Sequence, residues 1–288
     1  MSIAPITARS LSETYAATAR LCLNHNLDIP YSHTTALALE RIELPSKTSL
    51  QPAPLHASVP KSHMRRSKFA GVHVHTWSAL NDADIVYITP QITAVRPEVA
   101  WAQLAKYANL ETSIILAEAI LRNTYLTLDD LAVYITGIGK FPGKRQCRRA
   151  LLLARPGADS AKECELRLKT LQYGLDQPKI NYVFPDLTFP NGAPVTLDMA
   201  WPEHRVGLEY NGDHHRTDMF QWRRDEWKRE AVTARRWHFF SITQLDLSDN
   251  AHIANLMARI SEAMGKRISY TPLEKLADRR RKICRPDS

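Results

Sequence analysis

The apolar positions of the chain change period along its length, and the changes mark its elements. SLSETYAATARLCL places Ser10 three residues before Glu13, a capping-box spacing, and Tyr15, Ala19 and Cys22 recur at helical intervals, so a helix is expected. HTTALALERI predicts a second helix, ended by the loop PSKTSLQPAP. PLHASVP, GVHVHTW and ADIVYIT alternate or run apolar with β-branched residues and predict three strands, the basic SHMRRSK lying between the first two. From Glu98 to about Ala154 the period is helical again; Thr127 and Asp130 mark one start, and Gly143 opens KRQCRRALLLA. ARPGADS breaks this pattern. It sets the expected boundary between an N-terminal domain, residues 1–155, and a C-terminal one, residues 156–270.

After the break, SAKECELRLKTLQYG reads as a helix, INYVF, VTLDMAW and RVGLEY as strands, TDMFQWRRDEWKREAVTARR as a helix, WHFFSIT as a strand and AHIANLMARISEAM as a helix. The expected fold class is α/β in the broad sense and α+β in detail: an α-β-β-β-α-β core with a mixed sheet, preceded by a smaller mixed helix and strand domain. ADRRRKICRP lies in an expected basic tail, residues 271–288, of the kind that stays mobile.

Two acids interrupt the apolar hairpin. With a period of two, Leu197, Met199 and Trp201 share one face and Val206, Leu208 and Tyr210 another, which leaves Asp198 and Glu209 on the opposite faces of their strands. A turn over Pro202, Glu203, His204 and Arg205 pairs Trp201 with Val206 and, in continuous register, Asp198 with Glu209. Cross-strand carboxylates about 5 Å apart repel unless something neutralises them. A Mg²⁺ ion, which takes carboxylate oxygens and keeps several waters, would do so and could act on a phosphodiester. Solvated acids paired with Arg205 or with arginines of the next helix are the bland alternative.

Other residues cluster around this pair in the chain. Glu163 stands on the preceding helix above Leu166, Leu168 and Leu171 and offers a third carboxylate, or simply a favourable charge near a helix N-terminus. Asn211-Gly212-Asp213-His214-His215 leaves the strand on a turn, and of its two histidines, which point opposite ways in an extended segment, one can serve a proton transfer. Gln221, Arg224, Asp225 and Lys228 share a face of the next helix, while Phe220, Trp227, Ala231 and Ala234 share a neighbouring face suited to packing; Asp218 and Gln221 also form a capping box.

Composition adds a lean towards polyanions. The 288 residues carry 38 Lys and Arg against 30 Asp and Glu, a formal charge of +8, and cations that meet phosphates release condensed counterions. The four cysteines, Cys22, Cys147, Cys164 and Cys284, lie far apart, which disfavours a zinc ribbon or a secreted disulfide framework and suits a reducing cytoplasm. No signal-peptide core and no membrane-length apolar run is present, so a cytoplasmic protein without membrane partners is expected. His73 and His75 share a strand face and, with His56, have the donor type of a metal site, although such pairs more often sit on a half-exposed strand.

SAKECELRL, LDMAWPEHRVGLEYNGDHHRTDMFQWRRDEWKRE and WHFFSITQLDL together resemble the domain of unknown function related to very-short-patch-repair endonucleases, a branch of the PD-(D/E)XK superfamily. The resemblance covers roughly the last half of the chain. It implies a restriction-endonuclease-like core, Mg²⁺ or Mn²⁺ as cofactor and DNA as substrate, with Asp198 and Glu209 as metal-binding acids and Glu163 as the helix acid. The lysine expected two residues after Glu209 is Asn211, which cannot act as a base, so Lys228, His214 or His215 takes that role or catalysis is weak. Arg216, Gln221, Arg223 and Arg224 are then the expected DNA contacts. YSHTTALALERIELP and GVHVHTW resemble the N-terminal region of AbiEi-type abortive-infection antitoxins, which implies DNA recognition or transcriptional regulation. Two function classes follow: a metal-dependent DNA endonuclease of repair or foreign-DNA defence, and a non-catalytic DNA-binding antitoxin or regulator that keeps a nuclease-like fold. A toxin partner or a homodimer belongs with the second.

Overall fold

The computed structural model describes residues 8–25, 27–45, 47–51, 53–61, 71–212 and 219–283. The described residues divide into two units, one of residues 8–156 together with 277–283, the other of residues 157–276. The architecture is mixed α and β, with helices and several short sheets. The N-terminal unit is the longer of the two, against the expected smaller domain, and it takes in the end of the chain as well. No helix among the described residues is long and apolar enough to cross a membrane.

In the N-terminal unit, helix α1 (Ala8–His25) includes both Ser10 and Glu13. Helix α2 (His33–Leu39) follows, then β1 (Leu55–Val59) parallel to β2 (Val72–Thr76), and β3 (Ile85–Thr89) antiparallel to β4 (Ile92–Val95). Tyr31 stitches the pairs together: it bridges Ala57 and Ala94, its N–H donates to Thr93 O (2.9 Å), and Val95 N–H donates to its carbonyl (2.8 Å). Helices α3 (Pro97–Leu104), α4 (Leu110–Asn123), α5 (Leu128–Gly137) and α6 (Lys144–Leu153) complete the core. Thr127 and Asp130 form the full reciprocal capping box at the start of α5, which satisfies two N–H groups that the helix leaves without partners. Gly143, at φ 96°, turns the chain into α6 where a Cβ would stand 2.8 Å from Lys106 N, so only glycine meets both demands.

The β1–β2 register aligns His56 with His73 and places His75 two residues on. His33, at the start of α2, stacks on His75 with ring centroids 3.9 Å apart, and His56 Nδ1 lies 3.0 Å from His75 Nε2. The rings pack flat or tilted on one another and their nitrogens do not meet at a shared point. Among the described residues no three His, Cys, Asp or Glu groups are placed to hold a metal, so the metal role considered for His56, His73 and His75 is not adopted.

The second unit runs α7 (Ala161–Gln172), β5 (Lys179–Thr188), β6 (Pro194–Trp201), β7 (Val206–Tyr210), α8 (Met219–Ala234), β8 (His238–Ile242) and α9 (Asn250–Ala263). Its sheet has the order β5-β6-β7-β8, antiparallel except for the parallel pair β7–β8. A cluster of Met199, Trp201, Val206 and Leu208 with Leu166 of α7 and Leu256, Met257 and Ile260 of α9 fills one side; Val195, Leu197, Ala200 and Phe184 with Val232 of α8 fill the other. Helices thus cover both faces, which is what brings buried polar groups to the hairpin. Residues 273–283, expected within a mobile tail, form helix α10 (Leu273–Ile283): Asp278 accepts from both Nε (3.0 Å) and Nη2 (2.5 Å) of Arg149, a bidentate pair that ties this part of the helix to α6.

Candidate functional site

The register of the hairpin is the expected one. Trp201 pairs with Val206 and Met199 with Leu208, and a short 3₁₀ turn over Pro202–His204, closed by Arg205 at φ 52°, makes the connection. The paired residues end at Met199 and Leu208, one position short of the expected Asp198–Glu209 pair, and Asp198 instead accepts the N–H of Tyr210. One expectation about the strand fails: Leu197 does not pack with Met199 and Trp201 but with Val195 and Ala200, because Gly207 has no side chain and leaves Leu197 room beside Trp237. A Gly207→Ala Cβ would collide with Leu197 Cδ1. The substitution is expected to cost about 1–3 kcal/mol in denaturant unfolding, as overpacking of a filled core does; an unchanged midpoint would show that Leu197 can move aside.

Each acid is held by its own element. Asp198 Oδ2 accepts the Tyr210 N–H at 2.7 Å, so the end of β7 orients the carboxylate of β6. Glu163, buried in the first turn of α7, accepts the Asp159 N–H (2.8 Å) and the Ser160 hydroxyl (2.8 Å) while Ser160 Oγ caps the Glu163 N–H. Leu166, Leu168 and Leu171 are buried beneath it, as expected. Lys228 comes from the middle of α8 and donates to both oxygens of Glu209, at 2.5 and 2.6 Å.

The electrostatics follow from burial and crowding. Burial pushes the Glu209 carboxyl up to about 7, Asp198 pushes the same way, and the Lys228 ammonium pulls it back. Glu163 rises to about 7 for the same two reasons, against the hydrogen bonds of Asp159 and Ser160. Asp198 is raised by burial and held down by the Tyr210 N–H and by Lys228. Glu163, Asp198 and Glu209 therefore share one neighbourhood, and Lys228 is a cation lodged within it.

The other expected residues fare variously. Asn211 turns its amide to Ser241 Oγ (2.7 Å) and its N–H to Ile242 O (2.7 Å), serving the β7–β8 ladder. Arg223 and Arg224 are exposed on α8, and Arg224 lies over the Phe189 ring at 4.3 Å. Phe220, expected to pack, is 81% exposed; the packed stripe of α8 begins at Trp227, which meets Phe189. His214, His215, Arg216 and the Asp218 cap lie outside the described residues, and the described part of Gln221 is its backbone in α8. Sequence reasoning passed over Asp159, whose charge raises Asp198 and Glu163; its place just before the Ser160 cap was the available signal.

Hard oxygen donors suit Mg²⁺, which binds through one or two carboxylates and keeps most of its water. Among the described residues no three side chains converge as a complete metal cage. Asp198 and Glu209 supply such oxygens, and because Lys228 already meets both oxygens of Glu209, an ion there would have to share Glu209 with the ammonium. Comparison of the chain with models of protein families, with curated proteins and with solved structures finds no match.

Proposed function

We propose that the chain is a Mg²⁺-dependent DNA endonuclease with a restriction-endonuclease-like core, related to very-short-patch-repair enzymes. The observation that carries this reading is Lys228: its ammonium lies against the Glu209 carboxylate, where it can take over from the lysine that Asn211 replaces. The order α7-β5-β6-β7-α8-β8, with acids on its second and third strands and Glu163 on its first helix, supports it.

The reaction is addition of water to a phosphodiester with rupture of one P–O ester bond, giving a phosphate monoester and an alcohol. A bound Mg²⁺ supplies Lewis-acid stabilisation of the charge that builds on phosphorus and lowers the pKa of a bound water. Asp198, fixed by the Tyr210 N–H, and Glu209 would hold such an ion. An ammonium has three N–H donors; two serve Glu209, and a third would remain for a phosphate oxygen of the substrate. Glu163, with a pKa near 7, holds or releases a proton at neutral pH. Arg223 and Arg224 take the DNA backbone.

Supercoiled DNA incubated with the protein and Mg²⁺ or Mn²⁺ tests the reading. Wild type is expected to nick or linearise it, and Asp198→Ala, folded by circular dichroism, to leave it intact. Uncut DNA, or equal cutting by the variant, overturns the assignment and leaves the DNA-binding regulator as the better account.

A further inference from the structure

The N-terminal unit concentrates positive charge in one place. Helix α6 presents Lys144, Arg145, Arg148 and Arg149 at positions i, i+1, i+4 and i+5, one helical face, while Cys147, Ala150 and Leu153 of the opposite face are buried. Gln146 anchors the helix by donating to Ala105 O (2.7 Å), Ala108 O (2.5 Å) and Ser113 Oγ (2.8 Å). Lys140 before the helix and Arg281 of α10 add to the same wall, and together these six cations line a cleft of about 540 Å³ with Phe141 and Leu152. No acid lines it. Asp278, at its margin, is committed to Arg149 and is 3.9 Å from Arg145.

Like charges gathered in a concave surface repel one another and focus a positive potential, which a polyanion relieves. The pairs Lys144/Arg145 and Arg148/Arg149 lie one turn apart, about 6 Å along the axis. Phosphates of one DNA strand advance about 3.4 Å each, so the two pairs can meet different phosphates along a strand. Lys144 is steadied by donating to Ile138 O and Gly139 O, whereas Arg145 and Arg148 are exposed and reach outward.

We infer that the α6 cleft, lined by Lys140, Lys144, Arg145, Arg148, Arg149 and Arg281, is a second DNA-contacting surface that grips the phosphodiester backbone without reading bases. It rests on the reading of DNA as substrate and extends it to a surface that holds none of the acids. The test is binding of a 20-base-pair duplex to the full chain in EDTA, where no cleavage occurs, over a range of salt. Arg145→Ala with Arg148→Ala is expected to lower the slope of log affinity against log salt by about 2 and affinity at 0.1 M salt on the order of 50-fold. Lys47→Ala with Lys61→Ala, exposed lysines of the same unit outside the cleft, is expected to change little. An unchanged slope in the arginine variant overturns the inference. So does loss of inorganic triphosphate binding in that variant with DNA binding intact, which marks a small-anion site. Cleavage by wild type with Mg²⁺ is scored separately: a protein that grips DNA through α6 and cuts nothing upholds the cleft and removes the nuclease, and the converse result does the reverse.

Discussion

Lys228→Met is expected to slow DNA cleavage by a factor of about 10²–10⁴, the range for loss of a positioned proton-transfer or charge-stabilising group. It is also expected to destabilise the fold in a pH-dependent way. Lys228 and Glu209 are both largely buried, with side-chain exposures of 10% and 19%, and removing one partner of such a pair leaves the other charge uncompensated, at about 3–5 kcal/mol. That penalty requires an ionised Glu209. Its carboxyl already stands near 7 with Lys228 in place, and loss of the ammonium moves it higher, so at pH 5 it holds its proton and the penalty is small, while at pH 9 it is full. Urea unfolding of wild type and variant at pH 5 and 9 reads the difference. Equal penalties at both values would show that Lys228 does not compensate Glu209. A variant that cuts DNA at the wild-type rate would remove it from the reaction.

How far the site could be read in advance depends on whether local chemistry or distant packing set each part. The hairpin register was legible because a short turn at Pro202 to Arg205 and a side-chain period of two leave little choice, and a one-residue slip would invert the apolar set. The Thr127 box was legible for the same local reason. Lys228 was visible only as one member of a polar helical face: nothing in its spacing favours it over Arg224, and the packing of Trp227 and Val232 aims it at Glu209. Strand β4 escaped notice because it is only four residues long and, besides β3, pairs with Tyr31, some sixty residues earlier in the chain. Helix α10 read as tail because DRRRK has no apolar stripe, and its tether is the long-range Arg149–Asp278 pair. His33 joins the imidazole cluster through the same kind of distant contact. The basic stripe of α6 was in plain sight as KRQCRR, but its concavity needs Lys140, Phe141 and Arg281 brought alongside.

Acid is expected to destabilise the N-terminal unit well before ordinary carboxylate titration completes, and the imidazole cluster is the cause. Burial, with the charge of His73 next, lowers His56 to about 4; burial, with His75, His56, Lys106 and His73, drives His33 well below its usual 6.5. Both groups are thus neutral in the fold and protonate more readily in the unfolded chain. Between pH 6.5 and 4 the unfolded state binds more protons, so stability is present above 6.5 and falls as pH drops through that window. His56 alone accounts for about 3 kcal/mol over the interval, and His33 adds to it. Glu43, Asp84 and Glu98 of the same unit work in the opposite sense, since burial raises their pKa values and protonation relieves them. The informative quantity is therefore the difference between wild type and His56→Gln, in which the carboxylate contributions cancel. Denaturant unfolding at pH 7 and pH 4.5, followed by a probe in the N-terminal unit, is expected to show the variant losing less stability than wild type on acidification, by about 2–3 kcal/mol. A parallel loss in both proteins would mean that His56 takes up its proton without disturbing the fold, and that the packed rings tolerate a charge that their burial should exclude.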